Sequence, residues 1–85
     1  MCSVFLGKET FFAGRCADDD GKDGVEAEII TGVLQHHCYG QCINNATLKG
    51  CAYLKRRKIC ITYSSYVSKG EGEKGFKCFI PGVLD

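Results

Sequence analysis

Seven cysteines and two histidines carry the richest chemistry in this chain of 85 residues, and they crowd toward its middle. His36-His37-Cys38-Tyr39-Gly40-Gln41-Cys42 is the hub, with Cys2 and Cys16 before it and Cys51, Cys60 and Cys78 after. Metal binding is the first chemistry to weigh. Structural zinc sites favour closely spaced ligand pairs with a matching second pair. Here one Cys-x3-Cys is followed by single cysteines, the next two after gaps of eight residues each. His36 and His37 diverge if the chain is extended. No metal-ligand set is assigned.

Nucleophilic catalysis needs a cysteine, a histidine and a third group that orients the base. Cys38 beside His37 meets that only on paper, because adjacent strand residues diverge and a half-cystine is no nucleophile. The chain holds no Gly-x-Ser-x-Gly, no phosphate loop and no paired carboxylates, so it reads as a non-enzyme that needs no cofactor. The acidic run at 17–24 fails as a calcium loop. With Gly21 at the loop glycine, Cys16 stands where the first Asp belongs and Ala27 where the bidentate Glu belongs.

Disulfides are the remaining use of the sulfur. An odd count leaves one cysteine over. Six cysteines already allow 15 pairings, and the choice of the seventh multiplies them, so spacing does not dictate connectivity. Cys60, on the polar side of its strand, and Cys2, at the chain end, are the candidates for the spare thiol. A thiol left over offers a homodimer through that cysteine.

Such a scaffold suits the composition. A core near this size supplies about 3–5 kcal/mol, so small domains are commonly stapled. Seven cysteines in 85 residues point to an oxidising compartment, and the expectation is a secreted, extracellular protein. Met1 reads as a start codon added to a mature chain. The net charge of +1 attracts no nucleic acid, and no apolar run is long enough to span a membrane. The charge is segregated: Asp18-Asp19-Asp20 with Asp23 forms an acidic knot, and Lys55-Arg56-Arg57-Lys58 a basic one.

The elements that must hold these groups are β-prone. Strands are expected over 4–6 and 10–12 with a turn at Gly7. Phe11 and Phe12 then point to opposite faces, leaving one as a candidate contact residue. A polar loop over 17–24 precedes an extended segment over 25–37 with a kink at Gly32. Asn45-Ala46-Thr47 is an N-glycosylation sequon in a turn-rich loop, which makes Asn45 the candidate acceptor. The strongest strand runs through Ile59, Ile61 and Tyr63 on one face and Lys58, Cys60 and Thr62 on the other. A flexible loop over 68–75 leads to a partner strand, giving an expected hairpin of 58–67 with 75–80. The predicted fold is all-β: one small disulfide-rich domain of short antiparallel sheets. Its parts are an N-terminal β subdomain (about 2–51) and a C-terminal hairpin (about 52–85).

Cys2, Gly7 and Gly14 carry a Cys-x4-Gly-x6-Gly spacing that resembles the opening of von Willebrand factor type C modules. Cys16-Ala-Asp18-Asp-Asp-Gly21-Lys22 resembles a stretch of their relative β-microseminoprotein. Cys38, Cys42, Cys51 and Cys78 fall near the later cysteines of that pattern. The central Cys-x-x-Cys-x-Cys is reduced here to Cys-x3-Cys, and an adjacent cysteine pair to Cys51 alone. Small modules of this type are similar to tick salivary proteins that bind host complement or other defence proteins. The resemblance implies an elongated all-β molecule with bridges Cys16–Cys42, Cys2–Cys51 and Cys38–Cys78, and Cys60 as the free thiol.

The function expected is therefore a secreted protein-binding module, an inhibitor of a host complement or other plasma defence protein. Its partner would be an extracellular protein. Phe11, Phe12, Tyr39, Tyr53 and Tyr66, with Arg56 and Arg57, are the candidate contact residues, since Tyr and Arg are enriched at hot spots. The alternatives are a serine protease inhibitor acting through 55–58, and a small ligand that dimerises through its spare cysteine. A reduced zinc module is the fourth reading.

Overall fold

A computed structural model describes residues 10–72 and 74–81; Cys2, Gly7 and the strand expected over 4–6 lie outside them. The chain runs β1 (Thr10–Ala13), β2 (Arg15–Ala17), β3 (Glu26–Thr31), α1 (Gln35–Asn44), β4 (Gly50–Leu54), β5 (Ile59–Tyr63), β6 (Lys69–Glu71) and β7 (Phe76–Ile80). Five strands form one antiparallel sheet in the order β1-β7-β4-β5-β3, and β2 pairs with β6 in a second, two-stranded sheet.

Strand alternation gives the large sheet two apolar faces, each with its own cover. On one face Ala52, Leu54, Ile61, Tyr63, Phe76 and Cys78 pack with Cys16 and Val67. The β2–β6 pair lies over the β1, β7 and β4 part of this face. On the other face Cys51, Tyr53, Cys60 and Phe79 pack with Cys38, Tyr39 and Cys42 of α1. The arrangement is a helix, a sheet and a small sheet in three layers. Every residue of β4 is buried, as a central strand covered on both faces must be.

Three disulfides nest inside one another: Cys42–Cys51 within Cys38–Cys60, and both within Cys16–Cys78. The inner two pin α1 to β4 and β5; the outer one ties β2 to β7. Their sequence separations are 9, 22 and 62. In the chain-entropy account these loops correspond to about 3, 3 and 4 kcal/mol taken singly.

The small disulfide-rich β domain expected from the sequence is present, with four corrections of detail. First, β5 and β7 do not pair with each other; β4 lies between them. The segment 69–71 within the expected loop is itself a strand against β2. Gly70 is required there, because a Cβ would stand 2.1 Å from the carbonyl oxygen of Ala13. Second, the two parts are not separate subdomains, since the large sheet interleaves β1, β3 and β4 with β5 and β7. Third, the described residues are compact rather than elongated, with a radius of gyration of 11.9 Å, close to the roughly 12 Å typical of a globular chain of this length. Fourth, Gly32 does turn the chain, at φ 75°, but a helix follows it in place of a second strand.

Candidate binding face

β2 and β6 cover one part of their sheet face, and an open cleft of about 630 Å³ lies on the rest. Its floor is apolar: Ile29 of β3, Ile59 and Ile61 of β5, Leu54 of β4 and Phe76 of β7. Its rim is basic: Arg15, Arg56, Arg57 and Lys74. The volume lies in the range of small-ligand and side-chain pockets, about 300–1,000 Å³.

Local folding explains how the rim forms. Lys55–Lys58 closes the tight turn between β4 and β5, with Lys58 in the left-handed region at φ 55°. The amides of Gly32 and Val33 both donate to the Lys58 carbonyl, which fastens the turn to the end of β3. Arg56 and Arg57 are thus displayed on a tied turn. Arg15 differs, because it forms an ion pair with Glu26 and lies over the Phe76 ring, 5.8 Å from its centroid. The Tyr63 hydroxyl holds the Arg15 guanidinium still more firmly protonated. Burial pushes the Tyr63 phenol up, and Arg15 offsets part of that. Arg15 Nε and the Tyr63 hydroxyl are both buried and do not reach hydrogen-bond geometry with any partner among the described residues. Among the described residues the cleft's positive charge outside an ion pair therefore lies on Arg56, Arg57 and Lys74.

The contact residues expected from the sequence do not share one surface. Arg56 and Arg57 are exposed and line the cleft. Phe11 and Phe12 do face opposite sides of β1. Phe12 packs on the first core, while Phe11 is 48% exposed against Tyr39 and Phe79, with the Lys77 ammonium over its ring. Tyr66 is 63% exposed, but it follows β5 at the end opposite the Lys55–Lys58 turn, so it does not join the arginines. Tyr39 and Tyr53 are core residues, only 7% and 4% exposed, and this corrects their assignment as contacts. Tyr39 stacks on Phe79 at 4.6 Å and its hydroxyl donates to the Lys77 carbonyl at 3.4 Å. The Tyr53 hydroxyl donates to the Val33 carbonyl at 2.7 Å.

The sulfur pairing also departs from the expectation. Cys16 bonds Cys78 rather than Cys42, Cys51 bonds Cys42 rather than Cys2, and Cys38 bonds Cys60 rather than Cys78. Cys60 is therefore not the free thiol. It points to the helix-covered face, where Cys38 meets it, because α1 brings Cys38 and Cys42 onto one helical face. The Sγ atoms of Cys38, Cys51 and Cys60 lie within 4.8 Å of one another, but disulfide bonding occupies all three. His36 and His37 pack ring to ring at 4.3 Å on the exposed side of α1, apart from these sulfurs. Asn45 is exposed just beyond the helix, where its Oδ1 accepts from the Thr47 amide and hydroxyl.

Among the described residues no helix is long and apolar enough to cross a membrane. Three closed disulfides fit an extracellular setting. No protein-family model, curated protein or solved structure matches this chain.

Sequence reading singles out Arg56 and Arg57 and the Ile59–Ile61 face, but not Ile29, Leu54, Phe76, Arg15 or Lys74. The first three carry no sign that distinguishes a cleft floor from a core. Arg15 and Lys74 come from remote segments that only the fold assembles.

Proposed function

We propose that this chain is a secreted protein-binding module, and that it engages an extracellular partner through the cleft face of its sheet. One observation carries the reading: a fastened turn displays Arg56 and Arg57 beside an apolar floor on a disulfide-held sheet. A surface fixed before docking loses little entropy on binding, so a modest interface can hold tightly. Arginine beside apolar surface is the composition that hot spots favour. Occupying a face that the partner needs would make the module an inhibitor. The cysteine-spacing likeness suggests a complement or other plasma defence protein as that partner. A protease-inhibitor reading draws less support, because Arg56 and Arg57 sit in a tight reversal and not in an extended segment.

The test uses the oxidised protein immobilised against plasma, beside Arg56→Glu/Arg57→Glu of equal fold by circular dichroism. A defined partner retained by the native protein and weakened at least about tenfold by the double reversal supports the proposal, a loss of about 1.4 kcal/mol. Equal capture by both proteins overturns it.

A further inference from the structure

The cleft opens onto β3, the end strand of the large sheet among the described residues. Among the described residues β3 pairs only with β5, so its outer backbone groups have no strand partner. Natural edge strands are usually short, bulged, proline-bearing or guarded by charged side chains, lysine above all. This one is bulged between Glu26 and Glu28, and its regular stretch, 28–31, carries neither proline nor lysine and turns only Ile29 and Thr31 to the cleft side. Ile29 on it is 56% exposed and is at once edge residue and cleft floor.

The edge is also electrostatically two-sided. On the cleft side, Glu26 is neutralised by Arg15, and Arg56, Arg57 and Lys74 are left to meet a ligand. Glu28 pairs in register with Thr62, whose hydroxyl donates to the Glu28 carbonyl, and it is not among the cleft residues. A strand added beside β3 would lie about 4.8 Å away, so alternate side chains would fall on the cleft.

The geometry points to strand addition. The partner contributes an extended segment that pairs with β3 and presents alternating acidic and aliphatic side chains to the cleft. Backbone pairing supplies affinity and the cleft supplies the choice of side chain. Carboxylates meet Arg56 and Arg57 of the turn beside β5, and the aliphatic group covers Ile29. This deepens the binding proposal above and rests on it.

The probe is acetyl-Thr-Glu-Thr-Ile-Thr-Glu-amide, added at millimolar concentration to isotope-labelled oxidised protein and followed by amide chemical shifts. Expected are saturable shifts centred on β3 and on the 55–61 segment. They should weaken at least about tenfold with Arg56→Glu/Arg57→Glu, or when both Glu of the peptide become Lys. N-methylation of alternate peptide amides should abolish them on one of the two registers. Absent shifts, or shifts indifferent to both peptide charge and N-methylation, overturn the inference. So does a concentration-dependent dimer that occupies the β3 edge and is lost in Ile29→Lys. If plasma capture depends on Arg56 and Arg57 while the peptide fails these tests, strand addition falls and the binding-module proposal stands.

Discussion

The Sγ atoms of Cys51 and Cys60 lie within 4.8 Å of each other, yet each is bonded elsewhere, Cys51 to Cys42 and Cys60 to Cys38. Two disulfides thus share one buried site between α1 and the sheet. Freeing one sulfur places a thiol beside an intact bridge. In Cys42→Ala, the Cys51 thiolate attacks Cys38 or Cys60 and expels the other sulfur as a thiolate, with no outside oxidant. Peptide mapping of that variant is expected to find Cys51 bonded to Cys38 or Cys60 in a fraction of the molecules. Cys78 is not part of this cluster, so Cys16→Ala should leave the two inner bridges unscrambled. Recovery of Cys38–Cys60 alone from Cys42→Ala would contradict the shared site.

Phe79 and Phe11 make a matched pair of probes for where the stability resides. Phe79 is 1% exposed, stacked on Tyr39 and touching Phe11 at 5.2 Å between ring centroids. Truncating it empties the centre of the helix-covered core, and Phe79→Ala should cost about 3–5 kcal/mol. Phe11 sits on the rim of the same cluster, half out of the protein, so Phe11→Ala should cost about 1 kcal/mol or less. Urea unfolding of the oxidised variants measures both. Equal losses would mean that this aromatic cluster is not organised around Phe79.

The contrast between Phe11 and Phe12 is legible in the sequence, because adjacent strand residues must part company. The same period-two logic assigns Ile59, Ile61 and Tyr63 to one face and Cys60 to the other, as the fold has them. The hub is where that logic misleads. Leu34 at the N-cap makes no side-chain cap bond, and Gly40 lies mid-helix, so the usual start signal is missing and propensity is low. The signal that was available is the Cys-x3-Cys spacing itself, which puts two sulfurs on one helical face. Strand order was not legible. Placing β4 between β5 and β7 depends on contacts between segments far apart in sequence, and local pattern carries no trace of them.

Burial pushes the Tyr39 phenol up to about 12, with a smaller contribution from Tyr53. An unfolded tyrosine releases its proton near pH 10. The folded state therefore keeps a proton that the unfolded chain has begun to lose, so stability falls as pH rises. Tyr39's contribution is intact below about pH 10 and drains away toward pH 12. Tyr63 shifts in the same direction, through its own burial. Tyrosinate absorbance of the folded protein should show Tyr39 and Tyr63 ionising later than in denaturant, and Tyr39→Phe should remove one late component. A folded-state titration that coincides with the one in denaturant would place Tyr39 in solvent.

Asn45 offers a test of compartment that is independent of the partner. It is exposed where α1 ends, and its Oδ1 accepts from both the amide and the hydroxyl of Thr47, at 3.1 and 2.7 Å. That local bond holds the sequon in a turn whose Asn side chain is open to solvent. A chain passing through a eukaryotic secretory pathway should carry a glycan here, seen as a mass increase that N-glycosidase removes and Thr47→Ala abolishes. Asn45 follows the helix on the sheet face opposite the cleft, so glycosylated and bare protein should capture the plasma partner equally. Loss of capture in the glycosylated form alone would move the binding surface to the helix side and away from Arg56 and Arg57.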